Sequence, residues 1–392
     1  MDIFEKCKNY TQARDAMKSG FYPYFIPLDE NEGTEVEYQG KRLIMCGSNN
    51  YLGLTTHPKV KEAAIQAIKR FGTSCTGSRF LNGTLALHEK LENELADFTR
   101  KDSALVFSTG MQVNLGTISS IIGRDDIVIL DKDDHASIVD GARLGYGKIE
   151  RFRHNDAEHL ARVLESLPEK SGKLLIVDGV FSMGGDLADL PKLVPLAKKY
   201  SVRIMVDDAH GMGVTGKGRG TAAEYGMEED VDLIMSTFSK SFASIGGFVA
   251  GSADVIHYIK HNARALIFSA SIPAANAASA LAALEIIRSE PERVDRVNQI
   301  ADTVRMGLRQ MGFNIGESVT PIIPVIIGDD TRTFLTWKKL FENGVFVNPV
   351  ISPAVPPGMQ LLRTSYMATH TDQQIEKVLD AFKLVGQEMK II

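Results

Sequence analysis

Between residues 105 and 237 the chain alternates between two periodicities. Short β-rich apolar runs at 105–108, 127–130, 174–180, 203–206 and 233–237 are separated by stretches, such as 157–167 and 190–199, in which apolar positions return every three or four residues. Strand and helix in alternation predict a mostly parallel sheet with helices on both faces. Two amphipathic helices, 58–70 and 84–99, precede it, and 274–309 reads as a long helical stretch after it. Beyond Gly312 the pattern changes to strand 321–327, helix 333–342, strands 345–350 and 360–366, and a last helix opened by Thr371 and Gln374, a capping box. The expected organisation is therefore an N-terminal arm (1–45) with aromatics Phe21, Tyr22, Tyr24 and Phe25, a large α/β domain (46–275), and a connecting helix with a small α+β domain (276–392).

Composition narrows the function classes. With 392 residues, 44% hydrophobic and 24% charged, the chain is an ordinary globular protein with room for a sizeable core. Its net charge of −5 offers no field that would gather nucleic acid. The longest apolar runs, 174–177 and 322–327, fall far short of the roughly 20 residues that span a bilayer. The opening residues carry neither a basic region nor an apolar one, so the expected compartment is the cytoplasm. Cys7, Cys46 and Cys75 are too few and too scattered for a disulfide framework or a zinc site and read as free thiols.

Two motifs invite a nucleotide-binding reading. Residues Gly211 to Gly216 match G-x-G-x-x-G after a predicted strand, with Asp232 about 20 residues on. The run continues Lys217-Gly218-Arg219-Gly220 rather than opening a helix, and Asp232 precedes its apolar run instead of following it. As a P-loop it lacks the Ser or Thr after Lys217. A nicotinamide dehydrogenase is kept as a remote alternative.

Polar clusters fall at the carboxyl ends of predicted strands, where open α/β sheets hold their ligands: 131–135, 207–210 and 236–240. Lys240, after Thr237-Phe238-Ser239 and before Gly246-Gly247, is placed to form a Schiff base with an aldehyde cofactor. Pyridoxal 5′-phosphate also needs a carboxylate for its ring nitrogen, and Asp207 suits that role. His210 could donate to the ring hydroxyl, and His135 could stack on the ring. Ser108 to Gln112, between a strand and a helix, offers backbone N–H groups to the phosphate. A metal site from Asp207, Asp208, His135 and His210 would lack a compact ligand spacing, so no metal is expected.

The runs 48–54 (Ser-Asn-Asn-Tyr-Leu-Gly-Leu), 134–137 (Asp-His-Ala-Ser), 179–186 (Gly-Val-Phe-Ser-Met-Gly-Gly-Asp), 206–211 (Val-Asp-Asp-Ala-His-Gly) and 237–240 (Thr-Phe-Ser-Lys) resemble those of the α-oxoamine synthases, over about 40–385. Those are fold-type I pyridoxal-phosphate enzymes, of aspartate aminotransferase-like fold, that condense an amino acid with an acyl-CoA and release CO₂. Runs 76–84, 107–110, 239–241 and 361–365 are most similar to the bacterial branch that joins L-serine to palmitoyl-CoA, giving 3-ketosphinganine, the first step of sphingolipid synthesis. The resemblance implies Lys240 as anchor and base, Asp207 at the ring nitrogen, and His135 stacked on the ring and orienting the carboxylate. It implies Ser182 and His210 at the ring hydroxyl, Gly110, Met111 and Thr237 at the phosphate, and Asn50 with Arg363 on the substrate carboxylate. It further implies a homodimer with shared sites, in which Ser269 and Ala270 reach the partner's phosphate. Met111 stands where relatives commonly carry an aromatic residue. The 2-amino-3-ketobutyrate CoA ligases (glycine) and 8-amino-7-oxononanoate synthases (alanine) use the same core residues and remain alternatives.

Overall fold

The first three strands are short, β1 (Glu30–Asn31), β2 (Glu35–Tyr38) and β3 (Lys41–Met45), in a computed structural model that describes residues 2–392. Then β4 (Ser103–Phe107), β5 (Ile127–Asp131), β6 (Lys148–Phe152), β7 (Lys173–Asp178), β8 (Arg203–Asp207), β9 (Leu233–Thr237) and β10 (Gly247–Gly251) build one seven-stranded sheet, in the order β4-β10-β9-β8-β7-β5-β6. The pairs among β6, β5, β7, β8 and β9 are parallel, whereas β10 runs antiparallel to both β9 and β4.

Most of these strands are apolar on both faces because helices cover both. Alternate residues divide between two cores: Val106, Ile129, Val177, Val206 and Ile234 face one helix layer, while Leu105, Val128, Ile176, Met205 and Leu233 face the other. Two strands escape the sequence pattern for opposite reasons. β6, Lys-Ile-Glu-Arg-Phe, is a polar edge strand with only Phe152 fully buried, and β10, Gly-Phe-Val-Ala-Gly, is short and bounded by glycines.

The helical stretch expected over 274–309 is two helices, Ala274–Ser289 and Glu292–Met311. Pro291 separates them: its ring excludes a helical conformation at Glu290, which sits at φ −126°, ψ 61°. Beyond them, β11 (Ile322–Ile326), β12 (Val345–Phe346), β13 (Asn348–Val350) and β14 (Leu361–Ser365) complete the strands. The single strand expected over 345–350 is thus two, serving different sheets: β12 pairs parallel with β3, and β13 pairs with β14 in the antiparallel sheet β11-β14-β13. Residues 1–45 accordingly divide, since the hairpin β2–β3 continues the small domain's strands while helices Glu5–Lys8 and Gln12–Lys18 bury no residue. The capping box forms as expected, Thr371 Oγ1 accepting from Gln374 N and Gln374 Oε1 from Thr371 N.

Candidate active site

Because β5, β7, β8 and β9 are parallel, their carboxyl ends reach one edge together and present Asp131, Asp178, Asp207 and Thr237 there. A cavity of about 320 Å³ opens at this edge. Eight of the expected residues line it: Gly110, Met111, His135, Ser182, Asp207, His210, Thr237 and Lys240. Asp178, not anticipated, lines it as well, in register with Asp207 on the neighbouring strand.

Burial of the Lys240 amine lowers its pKa to about 8, overcoming the opposing pull of the Asp207 and Asp178 carboxylates. Asp207 is held at both oxygens: Asn114 Nδ2 donates to Oδ2 at 2.7 Å, and the Ala209 N–H donates to Oδ1 at 3.0 Å. The same Asn114 Nδ2 donates to Ser137 Oγ at 2.8 Å, and that hydroxyl is 2.7 Å from His135 Nδ1. A continuous chain, His135–Ser137–Asn114–Asp207, therefore fixes two of the polar groups that share the cavity with Lys240. Asn114 was not singled out in the sequence, but it lies four residues after Gly110 on one helix, a spacing that puts both on one face. His135 stands exposed at the cavity; desolvation lowers its pKa, Asp207 raises it, and Lys240 lowers it.

Helix Gly110–Ile121 points its N-terminus into the cavity, with the cap Thr109 Oγ1 accepting from Gln112 N at 3.2 Å. Such an end offers free N–H groups and a positive dipole to an anion. Gly110 is required by packing: a Cβ there would lie 2.8 Å from Thr237. Thr237 Oγ1 donates to Gly246 O at 3.0 Å and lies 2.9 Å from Ser239 Oγ. Ser269 and Ala270 do not line the cavity; in this chain Ser269 Oγ accepts from Gln112 Nε2 at 2.8 Å, and Ala270 O accepts from Ser108 Oγ at 2.5 Å.

Arg363, buried on β14, does not line the cavity but bonds to a residue that does. Its Nε donates to Ser182 O at 2.6 Å and its Nη2 to Asn49 Oδ1 at 3.0 Å. The expected companion Asn50 is displaced by its neighbour. Its Nδ2 donates to Thr55 Oγ1 at 2.8 Å and its Oδ1 accepts from Leu54 N at 3.0 Å, so its side chain is spent on closing a turn. Tyr51 is fully buried and 2.7 Å from His210 Nδ1. Burial, and the charges of Lys240 and Arg363, hold His210 well below its usual pKa, so it is a neutral imidazole.

The glycines from 211 to 216 serve a turn. Thr221 donates to Asp208 from both its N–H (2.6 Å) and Oγ1 (2.7 Å), and a Cβ at Gly211 would come within 1.9 Å of Asp208 Oδ1. The loop wraps this carboxylate, whose pKa burial raises to about 7, and it opens no long helix for a dinucleotide. With Asp208 turned to Thr221 and His210 to Tyr51, the four residues weighed as metal ligands do not converge.

The donor set suits a phosphorylated aromatic aldehyde: a lysine, a braced carboxylate, a neutral histidine and a helix N-terminus share one cavity. Residues 41–382 match the family model for aminotransferase class I and II. A serine palmitoyltransferase of Sphingobacterium spiritivorum is 48% identical, covering 97% of each chain, and an 8-amino-7-oxononanoate synthase of Alkaliphilus metalliredigens is 41% identical over 97% of this chain and 96% of its own. A structure described as SPT with a PLP internal aldimine superposes with a TM-score of 0.97 at 37% identity, covering all of both chains. On this footing the chain belongs to the aminotransferase class I and II family and, within it, to the α-oxoamine synthases.

Proposed function

We propose that this protein condenses L-serine with palmitoyl-CoA, releasing CO₂ and CoA and giving 3-ketosphinganine, with pyridoxal 5′-phosphate held at Lys240. The observation that carries the reading is the meeting in one cavity of Lys240, with its lowered pKa, and Asp207, braced at both oxygens, with Arg363 bonded to the carbonyl of Ser182, which lines the same cavity. The serine palmitoyltransferase relatives support serine and an acyl-CoA as substrates.

When bound, the cofactor supplies an electron sink for the electrons left at the amino acid's Cα. The remaining work falls to the chain's own residues. Asp207 favours a protonated ring nitrogen, as an opposite charge does. The N–H groups of Gly110 and Met111, with the Thr237 hydroxyl, would hold the phosphate, and Ser182 and His210 would stand at the ring hydroxyl. Arg363 offers the substrate carboxylate a planar, bidentate fork that Asn49 and the Ser182 carbonyl hold in place, and His135 would pack over the cofactor ring and orient the same group. Lys240, whose lowered pKa of about 8 makes the uncharged amine more available than in an ordinary lysine, is the base for the Cα proton. The large domain (46–275) thus carries the cofactor groups, and the small domain (276–392) carries the carboxylate grip.

A second copy of the chain completes the site. Phe268, Phe80 and Leu81 are 73%, 56% and 78% exposed in the single chain, an apolar surface suited to a homodimer that places the 268–271 segment at the partner's phosphate. Among the described residues no helix is long and apolar enough to cross a membrane.

The test is spectroscopic. The purified protein is expected to show a visible band near ~420 nm, as for a lysine-bound aldehyde cofactor, that responds to L-serine more than to glycine or L-alanine, with CoA released from palmitoyl-CoA and not from acetyl-CoA. A response to glycine with acetyl-CoA would move the protein to the ketobutyrate ligases. No visible band would sink the cofactor assignment.

A further inference from the structure

The turn after β6 carries His154 and Asn155, which the reading above leaves unused. Both ring nitrogens of His154 meet a carboxylate, Nδ1 at 3.0 Å from Asp131 Oδ1 and Nε2 at 2.9 Å from Asp186 Oδ2, with Asp133 Oδ2 3.9 Å from Nδ1. Asp131 also accepts from the N–H groups of Asp133 and Asn155, each at 2.9 Å, so it acts as an acceptor throughout. Two acceptors require two ring donors, and only the imidazolium has both. Burial alone would lower the pKa of this ring; the hydrogen bonds to Asp131 and Asp186, with their charge, raise it to about 10. The ring stands edge-on to Phe181 at 4.3 Å. Asn155, at φ 50°, adds a second tie: its Nδ2 donates to Asp186 Oδ2 at 3.2 Å and to Leu187 O at 2.9 Å.

The two carboxylates belong to different halves of the carboxylate grip. Asp131 ends β5 and starts the turn to His135, where Asp134 accepts from Asp131 N and Asp178 N, both at 2.9 Å, and Asp178 Oδ2 accepts from His135 N at 3.0 Å. Asp186 closes the loop whose Ser182 carbonyl fixes Arg363; Phe181 N donates to Asp186 O at 3.0 Å, and Gly185 O accepts from Thr320 Oγ1 of the small domain at 2.9 Å. One ring therefore ties the loop behind His135 to the loop behind Arg363.

We propose that His154 is a positioning residue whose doubly bonded ring sets the spacing between His135 and Arg363, and so makes the site discriminate its amine substrates by their carboxylate. The proposal rests on the reading that these two residues hold that carboxylate.

The test compares the wild-type holoenzyme with His154→Asn, Asp186→Asn and the double variant. Each is titrated with L-serine and with ethanolamine, which keeps the amine and hydroxyl but lacks the carboxylate, while the visible band is followed. Histidine-labelled wild-type protein is examined by ¹⁵N NMR at pH 8. The expectation is that His154→Asn retains the band, weakens L-serine by about tenfold or more and alters ethanolamine by less than about twofold, in keeping with the loss of charged hydrogen bonds. Asp186→Asn should shift the same ratio, and the double variant should be no worse than the poorer single one, as for residues acting as a unit. The spectrum should show two protonated nitrogens on His154. Equal weakening of both ligands, no weakening, or one unprotonated ring nitrogen would overturn the proposal. Should His154→Asn fail to fold, Asp186→Asn and the wild-type spectrum still decide. If L-serine leaves the wild-type band unmoved, the functional reading itself fails and the proposal goes with it; failure of the proposal alone shows as a normal wild-type response with an unchanged ratio in the variants.

Discussion

The two ends of the cleft are built differently. The cofactor end is assembled from the carboxyl edges of adjacent strands in one sheet, where register fixes Asp178 beside Asp207 and a buried asparagine braces the carboxylate. The carboxylate end draws on three separated segments: Asn49 after β3, the Ser182 loop after β7, and Arg363 on β14. The first is as rigid as the sheet, while the second exists only when three segments far apart in the chain are docked. Damage at the cofactor end should therefore abolish chemistry, and damage at the other should loosen substrate binding.

The largest break in that contrast is Lys240→Ala. It should remove the visible band and lower turnover by about 10²–10⁴-fold or more, the range for a lost acid–base group, with the melting temperature as a check on folding. Next comes pH: because the folded amine has a pKa of about 8, its uncharged, nucleophilic form grows as pH rises toward that value. Uptake of pyridoxal phosphate by the apoprotein should accelerate by about tenfold per pH unit below 8 and level off above it; a midpoint near the ordinary lysine value would contradict the burial argument. At the other end, Arg363→Lys should leave the band intact and raise KM for L-serine by about 10–100-fold, since a lysine cannot reproduce the paired bonds to Ser182 and Asn49. Asn114→Leu sharpens the cofactor end: it removes the brace on Asp207 and should cost about 1–3 kcal/mol, read as about 5- to 150-fold weaker cofactor retention, with a smaller rise in KM for L-serine through the loosened His135. Thr371→Ala, outside both ends, should lower stability by about 0.5–2 kcal/mol in denaturant titration and leave kinetics alone.

The same contrast explains what the sequence discloses. Lys240, Asp207 and His135 announce themselves because strand ends are legible from apolar runs, and chemistry at a strand end is local in the sequence. Asn114 hides inside a helix, where a polar residue with no exposed face looks like any other. Asn49 and Asn50 are adjacent and chemically identical; only the turn, which spends Asn50 on Thr55 and Leu54, decides which one faces Arg363. The break at Pro291 and the split at residue 347 were written in the chain as a proline and a two-sheet demand, but apolar periodicity runs through both. His154 and Asp186 sit 32 residues apart in sequence and meet only after β6 and the loop beyond β7 have taken their places.

The pairing of β3 with β12 has a consequence for how the chain comes to be folded. Ile44 pairs with Val345, and Asn348 donates to Gly47 across 301 residues. At roughly 5–20 residues per second, a ribosome needs on the order of 15–60 s to deliver that partner. The sheet from β4 to β10 is complete in sequence by residue 251 and can close meanwhile, with its helices following. The hairpin β2–β3 must wait at the surface, its strand edge unmatched, until β12 emerges. Birth order thus separates the two halves of the site: the seat for the cofactor matures first, and the hold on the amino acid arrives with the last fifth of the chain.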